Sequence, residues 1–271
     1  MQKNLIKNKV ILLTNANSIK GRSMLISIQN SNLEIERVIV INTNIKYYLK
    51  LFKFVSKRVG LIQAIIFSVL KLISDNIHEL IFYNIKNLSS LIKEYRVSPI
   101  YIKGDENWEN KANRAIESCD SKIVVIGQVG ILGKEFNLER NDRLIINSHP
   151  GMLPKYRGLD SFKWAILKND WDSIKSTIHI VRGKIDGGEI LQINTFDWRK
   201  LNWFFIDREL LIISGNHLIK FISNLKSENI VKEIIDKSEN QKKEYRLYHK
   251  MSLLNEFKSF KKYIYNKYLK K

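Results

Sequence analysis

The stretch that decides the fold is INSHPGMLPKYRG, from Ile146 to Gly158. It overlaps the end of the apolar run RLII, which predicts a short buried strand, and it places Asn147 and His149 where that strand ends. Side chains alternate along an extended strand, so Asn147 and His149 project to the same face. Two of the 3 prolines in the chain, Pro150 and Pro154, follow at once. They keep His149 out of the helical region, and we predict that its imidazole is presented on a rigid turn.

Short apolar strands alternate with helical segments around this stretch. We predict strands at 9–14, 37–42, 99–103, 122–127, 143–147, 176–181 and 189–196, and helices at 21–29, 88–95, 110–118 and 204–225. Such alternation is typical of an α/β protein with a doubly wound, mostly parallel sheet. These sheets bind ligands beyond the carboxyl ends of their strands. Asn147 and His149 lie at one such end.

The domain organisation follows from the absence of any linker rich in Pro, Gly or Ser. We predict one domain over 1–200 that holds the site, with a helical insertion at about 45–75, and a small C-terminal helical extension over 201–271 packed on the core. The insertion is apolar, aromatic and basic, and its longest uninterrupted apolar stretch is about half of the roughly 20 residues that span a bilayer. We favour a helical hairpin over the site, or a homodimer contact, above membrane-surface binding.

Composition narrows the function classes. The charge of +19, from 46 Lys and Arg against 27 Asp and Glu, would suit anionic partners, but the lysines are spread along the whole chain. We therefore regard nucleic-acid binding, and membrane contact by the basic aromatic tail, as the less favoured alternatives. The single cysteine, Cys119, excludes an internal disulfide and a cysteine-based zinc site, and no metal site is predicted. The first apolar run is too short for a signal-peptide core, so we expect a cytoplasmic protein.

A second polar cluster lies in STIHIVRGKIDGGEI, residues 176–190. Thr177 and His179 share a strand face that we expect to line a cleft, and Asp186 follows in a glycine-containing loop that could approach a flat ligand closely. An amide, an imidazole and a carboxylate suit acyl transfer to an amine. The amide of Asn147 and a protonated His149 would stabilise an oxyanion, while Asp186 would hold the imidazole charged and help to remove the amine's proton. Each of these residues taken singly could instead be structural.

The strings NSHPGMLPKYRG, TIH and DGGEIL resemble, almost position by position, the motifs of the folate-dependent formyltransferase family. That family includes glycinamide ribonucleotide, methionyl-tRNA and sugar-amine formyltransferases. The resemblance covers about residues 122–192 and implies a Rossmann-like fold.

The resemblance implies a catalytic trio of Asn147, His149 and Asp186. It also implies 10-formyltetrahydrofolate as the formyl donor and a small-molecule primary amine as the acceptor. Two segments are expected to bind the pterin: Gly130, Ile131 and Leu132, and Val181, Arg182, Gly183, Lys184 and Ile185. Arg157, Gly158 and His179 are expected on the substrate side.

The acceptor is less well defined by the motifs. The 60 or so residues after the core do not resemble the tRNA-binding domain of methionyl-tRNA enzymes, and the close-packed glycine turn of glycinamide ribonucleotide enzymes is missing after the first strand. Gly21, Arg22 and Ser23 could still bind a phosphate there. Our first hypothesis is an amino sugar, phosphorylated or nucleotide-linked, and the alternative is glycinamide ribonucleotide. A methionyl-tRNA formyltransferase-like enzyme and a catalytically inactive folate-binding relative are further alternatives.

Overall fold

The computed structural model describes residues 9–42, 45–81, 86–105, 107–130, 132–133, 135–136, 142–225 and 246–269. The strands are β1 (Lys9–Asn15), β2 (Glu34–Asn42), β3 (Pro99–Lys103), β4 (Ile123–Ile126), β5 (Leu144–His149), β6 (Arg157–Gly158), β7 (Ser176–Ile180), β8 (Ile190–Asn194) and β9 (Leu247–Tyr248). The helices are α1 (Ile19–Gln29), α2 (Ile45–Val59), α3 (Leu61–Ile81), α4 (Leu88–Glu94), α5 (Trp108–Glu117), α6 (Ser161–Leu167), α7 (Ile206–Ser223) and α8 (Leu253–Ile264).

The main sheet has seven strands in the order β3-β2-β1-β4-β5-β7-β8. The first five in this order pair in parallel, and β7 and β8 join antiparallel at one edge. The predicted doubly wound, mostly parallel sheet is therefore confirmed. The order turns at β1, where β2 lies on one side and β4 on the other, and such a turning point is where ligands bind in this class of fold.

Alternation along the central strands sends apolar side chains to both faces of the sheet. In β1, Val10 and Leu12 join one core cluster with residues of α1, α4 and α7, while Ile11 and Leu13 join a second cluster with residues of α5. All four side chains are completely buried. Parallel strands covered by helices on both faces have this near-continuous apolar character, and it explains why the short runs of Val, Ile and Leu were readable as strands.

The C-terminal part is more deeply integrated than an extension. Leu218, Ile219 and Ile222 of α7 belong to the same core cluster as the central strands. A third cluster rich in Trp and Tyr side chains joins α6 to the last helix, with Tyr263 of α8 buried and its ring packed at a tilt against Trp198 and Trp203. The expected boundary at residue 200 therefore does not separate two cores in the described residues, because α7 completes the first one.

The predicted insertion consists of α2 and α3, joined at Gly60, whose φ of +86° favours glycine. It extends to Ile81, beyond the predicted end at 75. Its described contacts reach the C-terminal segment: Gln63 accepts a hydrogen bond from the Leu253 amide, and Asp75 pairs with Arg208. One face of α3 exposes large apolar side chains: Leu61, Ile62, Ile65, Ile66, Val69, Leu70, Leu72, Ile73 and Ile77. Within the described part of the chain, no helix combines the length and apolarity that crossing a bilayer requires.

The packing of α7 can be tested with a matched pair of leucines. Leu218→Ala removes a side chain that is 0% exposed, and we expect it to lower the free energy of unfolding by about 2–5 kcal/mol. Leu254→Ala on α8, where the side chain is 64% exposed, should change it by no more than about 0.5 kcal/mol. Urea unfolding measures both. Equal effects for the two substitutions would contradict a core that includes α7.

Candidate active site

The strand end in INSHPG is held by the antiparallel neighbour β7. Asn147 pairs with His179 and His149 with Thr177, so β5 continues through His149 instead of ending at Asn147 as predicted. Thr177 Oγ1 donates to the Gly151 carbonyl over 2.7 Å and accepts from the Leu153 amide over 3.0 Å. This threonine therefore ties the proline-containing turn to the strand. All of β7 is buried, so its polar face does not line an open cleft as expected.

His149 is almost completely buried, and each of its ring nitrogens faces a partner. Nε2 lies 2.9 Å from the Tyr156 carbonyl and 2.9 Å from Ser161 Oγ, and Nδ1 lies 3.4 Å from Asp186 Oδ2. The carbonyl can only accept, so Nε2 carries a proton. A lone pair on Nδ1 would then face a carboxylate oxygen. A proton on Nδ1 as well would remove that repulsion and make an ion pair with Asp186.

Asp186 is held in place by its backbone and by three positive or donating groups. Its φ is +47°, the left-handed region, and its Oδ2 accepts from the Gly158 amide over 2.9 Å. Burial raises the pKa of this carboxyl, but His149, the Gly158 hydrogen bond and Arg157 outweigh that effect and leave the pKa below its usual range. Asp186 is therefore a carboxylate at neutral pH, with its side chain 14% exposed.

Arg157 and Gly158 support Asp186 instead of facing outward. The Arg157 guanidinium is buried and donates from Nε and Nη2 to the Ile185 carbonyl, which fixes the loop just before Asp186. Gly158 has a φ of +89°, and a Cβ there would overlap the Tyr248 carbonyl oxygen of the paired strand β9. Both residues were expected on the substrate side. Their contacts favour an orienting role.

His179 completes a hydrogen-bond chain with Asn147. Its Nδ1 donates to the Ile180 carbonyl over 3.0 Å, so its Nε2 accepts from Asn147 Nδ2 over 3.3 Å. Burial lowers the pKa of His179 to about 4, against the attraction of Asp186 at 3.8 Å. The ring is thus neutral and 2% exposed. This arrangement favours a role in orienting Asn147 over the expected substrate contact.

Lys20, in the first turn of α1, is a site residue that the sequence interpretation missed. Its Nζ donates to Asn147 Oδ1 over 2.8 Å and to the Ser148 carbonyl over 2.8 Å. Burial lowers its pKa to about 7, with Asp186 acting in the opposite direction. The predicted helix began at Gly21, which left Lys20 in a loop. The sequence does show a lysine shortly after the first strand of a doubly wound sheet. The strand order places the carboxyl end of β1 next to β4, which itself pairs with β5, so a residue there can reach the site.

The two segments expected to bind a pterin lie on the same side of the sheet. Leu132 and Val181 both pack against the second core cluster, and the Val181 amide donates to the Ile145 carbonyl. Gly130 and Gly183 have φ values of +88° and +59°, and Ile185 is exposed. Apolar side chains and glycine backbone at the rim of the catalytic residues suit a flat ring. Arg182 and Lys184 flank this loop, and Ile131 lies outside the described residues.

The phosphate site considered near the start of α1 is not open. Gly21, Arg22 and Ser23 are buried, the Gly21 amide donates to the capping Ser18 hydroxyl, and Ser23 donates to Asn216. A phosphate would have to displace these contacts.

Among the residues that the structure describes, no group of three or more His, Cys, Asp or Glu could hold a metal ion.

The support of Asp186 by Gly158 can be tested with two glycines that both have positive φ. Gly158→Ala must strain the backbone and move the amide away from Asp186, and we expect turnover to fall by about tenfold or more because small displacements of catalytic groups are costly. Gly60→Ala, between α2 and α3, meets nothing within 4 Å and should show only the backbone strain of about 1 kcal/mol. Steady-state kinetics on both variants, with thermal melts, make the comparison. A similar loss in both would argue against the Gly158 amide as the important contact.

The neutral state of His179 predicts acid sensitivity. Its pKa is about 4 in the folded protein against 6.5 in the unfolded chain, so only the unfolded chain takes up its proton between these values. Stability is then lost as the pH falls through this window, by about 3 kcal/mol. Urea unfolding from pH 7 to pH 4 should show a shallower loss in His179→Gln. Parallel curves for the two proteins would show that His179 titrates alike in both states.

Comparison with known proteins gives a match to one family over part of the chain. Residues 85–197 match the family model described as Formyl transferase, a range that includes the 122–192 motifs and extends beyond them. Phosphoribosylglycinamide formyltransferase of Haemophilus influenzae is 39% identical over 69 residues, which are 26% of this chain and 32% of that protein. Methionyl-tRNA formyltransferase of Solibacter usitatus is 30% identical over 95 residues, 35% of this chain and 30% of that protein. The chain thus spans about a third of the length of these curated relatives.

Solved structures extend the likeness in fold. The phosphoribosylglycinamide formyltransferase of Campylobacter jejuni superposes with a TM-score of 0.53 at 15% identity, covering 83% of this chain and 100% of that one. The Coxiella burnetii protein of the same name gives 0.51 at 17% identity, covering 81% and 87%. At these identities the likeness concerns the fold alone. Residues 85–197, which carry Asn147, His149 and Asp186, are thus similar to the formyl transferase family over less than half of the chain.

Proposed function

We propose that this protein transfers a formyl group from 10-formyltetrahydrofolate to the primary amine of a small substrate. The observation that carries the proposal is the convergence of Asn147, His149 and Asp186, with His149 Nδ1 3.4 Å from Asp186 Oδ2, inside the segment that matches the family. Asn147 and His149 come from the end of β5, and Asp186 comes from the loop between β7 and β8. The similarity to the family supports the reaction class, and the geometry supports the residues that perform it.

The reaction exchanges one C–N bond of the formyl group for another. The acceptor nitrogen attacks the formyl carbon, a new C–N bond forms, and the bond from that carbon to N10 of the folate breaks. The acceptor nitrogen loses one proton and N10 gains one, so the products are a formamide and tetrahydrofolate. Asp186, a partly exposed carboxylate at neutral pH, is the group that would accept and return this proton.

Asn147 is the better placed of the two expected oxyanion donors. One hydrogen of its amide nitrogen faces His179, which leaves the second for the oxygen of the tetrahedral intermediate. His149 was expected to donate to that oxygen too. Its Nε2 instead donates to the Tyr156 carbonyl and Ser161, and its other nitrogen faces Asp186. We therefore propose that His149 acts mainly by holding Asp186 charged and oriented.

The folate would be held by the two segments that meet at the second core cluster. Leu132, Val181 and Ile185 would offer apolar contacts to the pterin, and the loop glycines would let the backbone approach the ring. When bound, the folate supplies the activated formyl group. The protein's residues orient it and exclude water.

We propose an amino sugar, phosphorylated or nucleotide-linked, as the first acceptor to test, with the protein acting in the cytoplasm. The buried start of α1 supports this choice over glycinamide ribonucleotide, because Gly21, Arg22 and Ser23 offer no open phosphate cradle. The Haemophilus influenzae relative, a phosphoribosylglycinamide formyltransferase, favours glycinamide ribonucleotide as the second candidate. Methionyl-tRNA is a third candidate, supported by the name of the Solibacter usitatus relative.

The proposal is tested by incubating the protein with 10-formyltetrahydrofolate and each acceptor in turn: nucleotide-linked amino sugars, sugar phosphates with an amine, glycinamide ribonucleotide and methionyl-tRNA. Tetrahydrofolate release and the mass gain of one formyl group are measured together. We expect an amino sugar to accelerate both. No acceleration with any acceptor would refute the enzymatic proposal.

Asp186→Asn separates a catalyst from a folate-binding relative. We expect it to lower kcat by about 10²- to 10⁴-fold, as loss of a general acid–base does, and to leave folate affinity within a few-fold. Binding is measured by tryptophan fluorescence quenching. Unchanged turnover in Asp186→Asn would remove Asp186 from the chemistry.

A further inference from the structure

Lys20 is a buried cation without a carboxylate partner at contact distance. A second buried lysine, Lys163, shows the usual arrangement, with Asp207 at 3.1 Å and Glu256 at 2.6 Å. Among the described residues no carboxylate lies within 4.0 Å of Lys20 Nζ, whose partners are Asn147 Oδ1 and the Ser148 carbonyl. Burying a charge without an ion-pair partner lowers the stability of the fold. A buried lysine of this kind therefore points to a role in function.

We propose that Lys20 is a positioning residue that fixes and polarises the Asn147 amide for the reaction. This inference rests on the proposed formyl transfer. Lys20 holds the oxygen end of the amide and His179 holds the nitrogen end, so a flipped amide would set donor against donor and acceptor against acceptor. The orientation with Nδ2 beside the imidazole is thereby selected.

The charge of Lys20 does more than select an orientation. A cation on the carbonyl oxygen draws electron density from the amide, which makes the remaining N–H a stronger donor to a developing oxyanion. The site is dry at this point, since Lys20 and His179 are both less than 4% exposed. Low local polarity strengthens such polarisation. A neutral amine at this position would still bridge the two oxygens but would polarise the amide far less.

The groups that face Lys20 set when it is charged. Asp186 favours the ammonium form, His149 and His179 both face Asp186, and Gly215 of α7 packs on the lysine stem. Burial lowers the pKa of Lys20 to about 7. The polarising charge is therefore present below neutral pH and lost as the pH rises through it.

The first test compares Lys20→Met with Ser27→Ala. Methionine keeps an unbranched stem and removes the charge, and we expect kcat to fall about 10- to 100-fold with KM for folate and acceptor nearly unchanged, as for an interaction made in the transition state. Ser27→Ala removes a 2.8 Å hydrogen bond from the same helix to Asn216 and should leave kcat within about twofold. A kcat for Lys20→Met within twofold of the wild type overturns the proposal.

The second test uses pH and a cation that does not titrate. The ratio of kcat for the wild type to kcat for Lys20→Arg cancels the titration of the acceptor amine. It should be level below pH 6 and fall as the pH rises through 7, because the lysine loses its charge and the arginine keeps it. A ratio that is constant from pH 6 to pH 9 contradicts a role for the lysine charge. This measurement remains decisive if Lys20→Met does not fold.

A readout without turnover separates this inference from the proposed function. The side-chain NH₂ resonances of Asn147, assigned by their loss in Asn147→Ser, should shift in the wild type as the pH passes through 7 and should not titrate there in Lys20→Arg. If no acceptor reacts, the formyl transfer fails, and this spectrum still decides the coupling of Lys20 to Asn147. Identical titrations in both proteins would refute the coupling.

Discussion

The contact between the His149 imidazole and the Asp186 carboxylate is the interaction around which the site is organised. It joins the end of β5 to the loop after β7, at 3.4 Å, and the Gly158 amide closes the arrangement from a third segment. Much of the neighbouring structure serves this contact: Thr177 ties down the proline turn, and Arg157 holds the Ile185 carbonyl. The glycine at 158 is required because the β9 backbone leaves no room for a side chain.

The site stores unfavourable free energy in buried polar groups. The depressed pKa of Lys20, from 10.5 to about 7, corresponds to a cost on the order of 5 kcal/mol at pH values below the folded pKa, where both states are charged. His179 is kept neutral in the same pocket, and Asp186 adopts a positive φ. The packed clusters on the two faces of the sheet must offset these costs, which is consistent with buried side chains from Val10 to Thr14 of β1 and throughout β4.

The three residues expected on the substrate side and one expected oxyanion donor make contacts within the protein that favour orienting roles. Arg157 and His179 are buried and use their nitrogens within the protein, as does Nε2 of His149. Lys20 joins this supporting group from a helix that the motifs do not include. The groups left to meet a ligand are the free N–H of Asn147, the partly exposed Asp186 carboxylate, and the apolar and glycine-containing loops. A small set of exposed atoms on a firmly held frame is what a preorganised acyl-transfer site needs.

The sequence by itself determined the sheet, the strand end that carries Asn147 and His149, and the family motifs. Short apolar runs, prolines after a strand and alternation of side chains along a strand are local signals. The elements that they predict are present in the folded protein because the apolar side chains are buried in its core. Only the tertiary structure decided that α7 completes the main core, that His179 and Arg157 face inward, and that Lys20 reaches Asn147. Those contacts join residues that are far apart in the chain; Lys20 and Asn147 are separated by 127 positions. They also depend on which face of a neighbouring packed element each side chain contacts. No local pattern encodes the depth at which a polar side chain is buried, because depth is a property of everything packed around it.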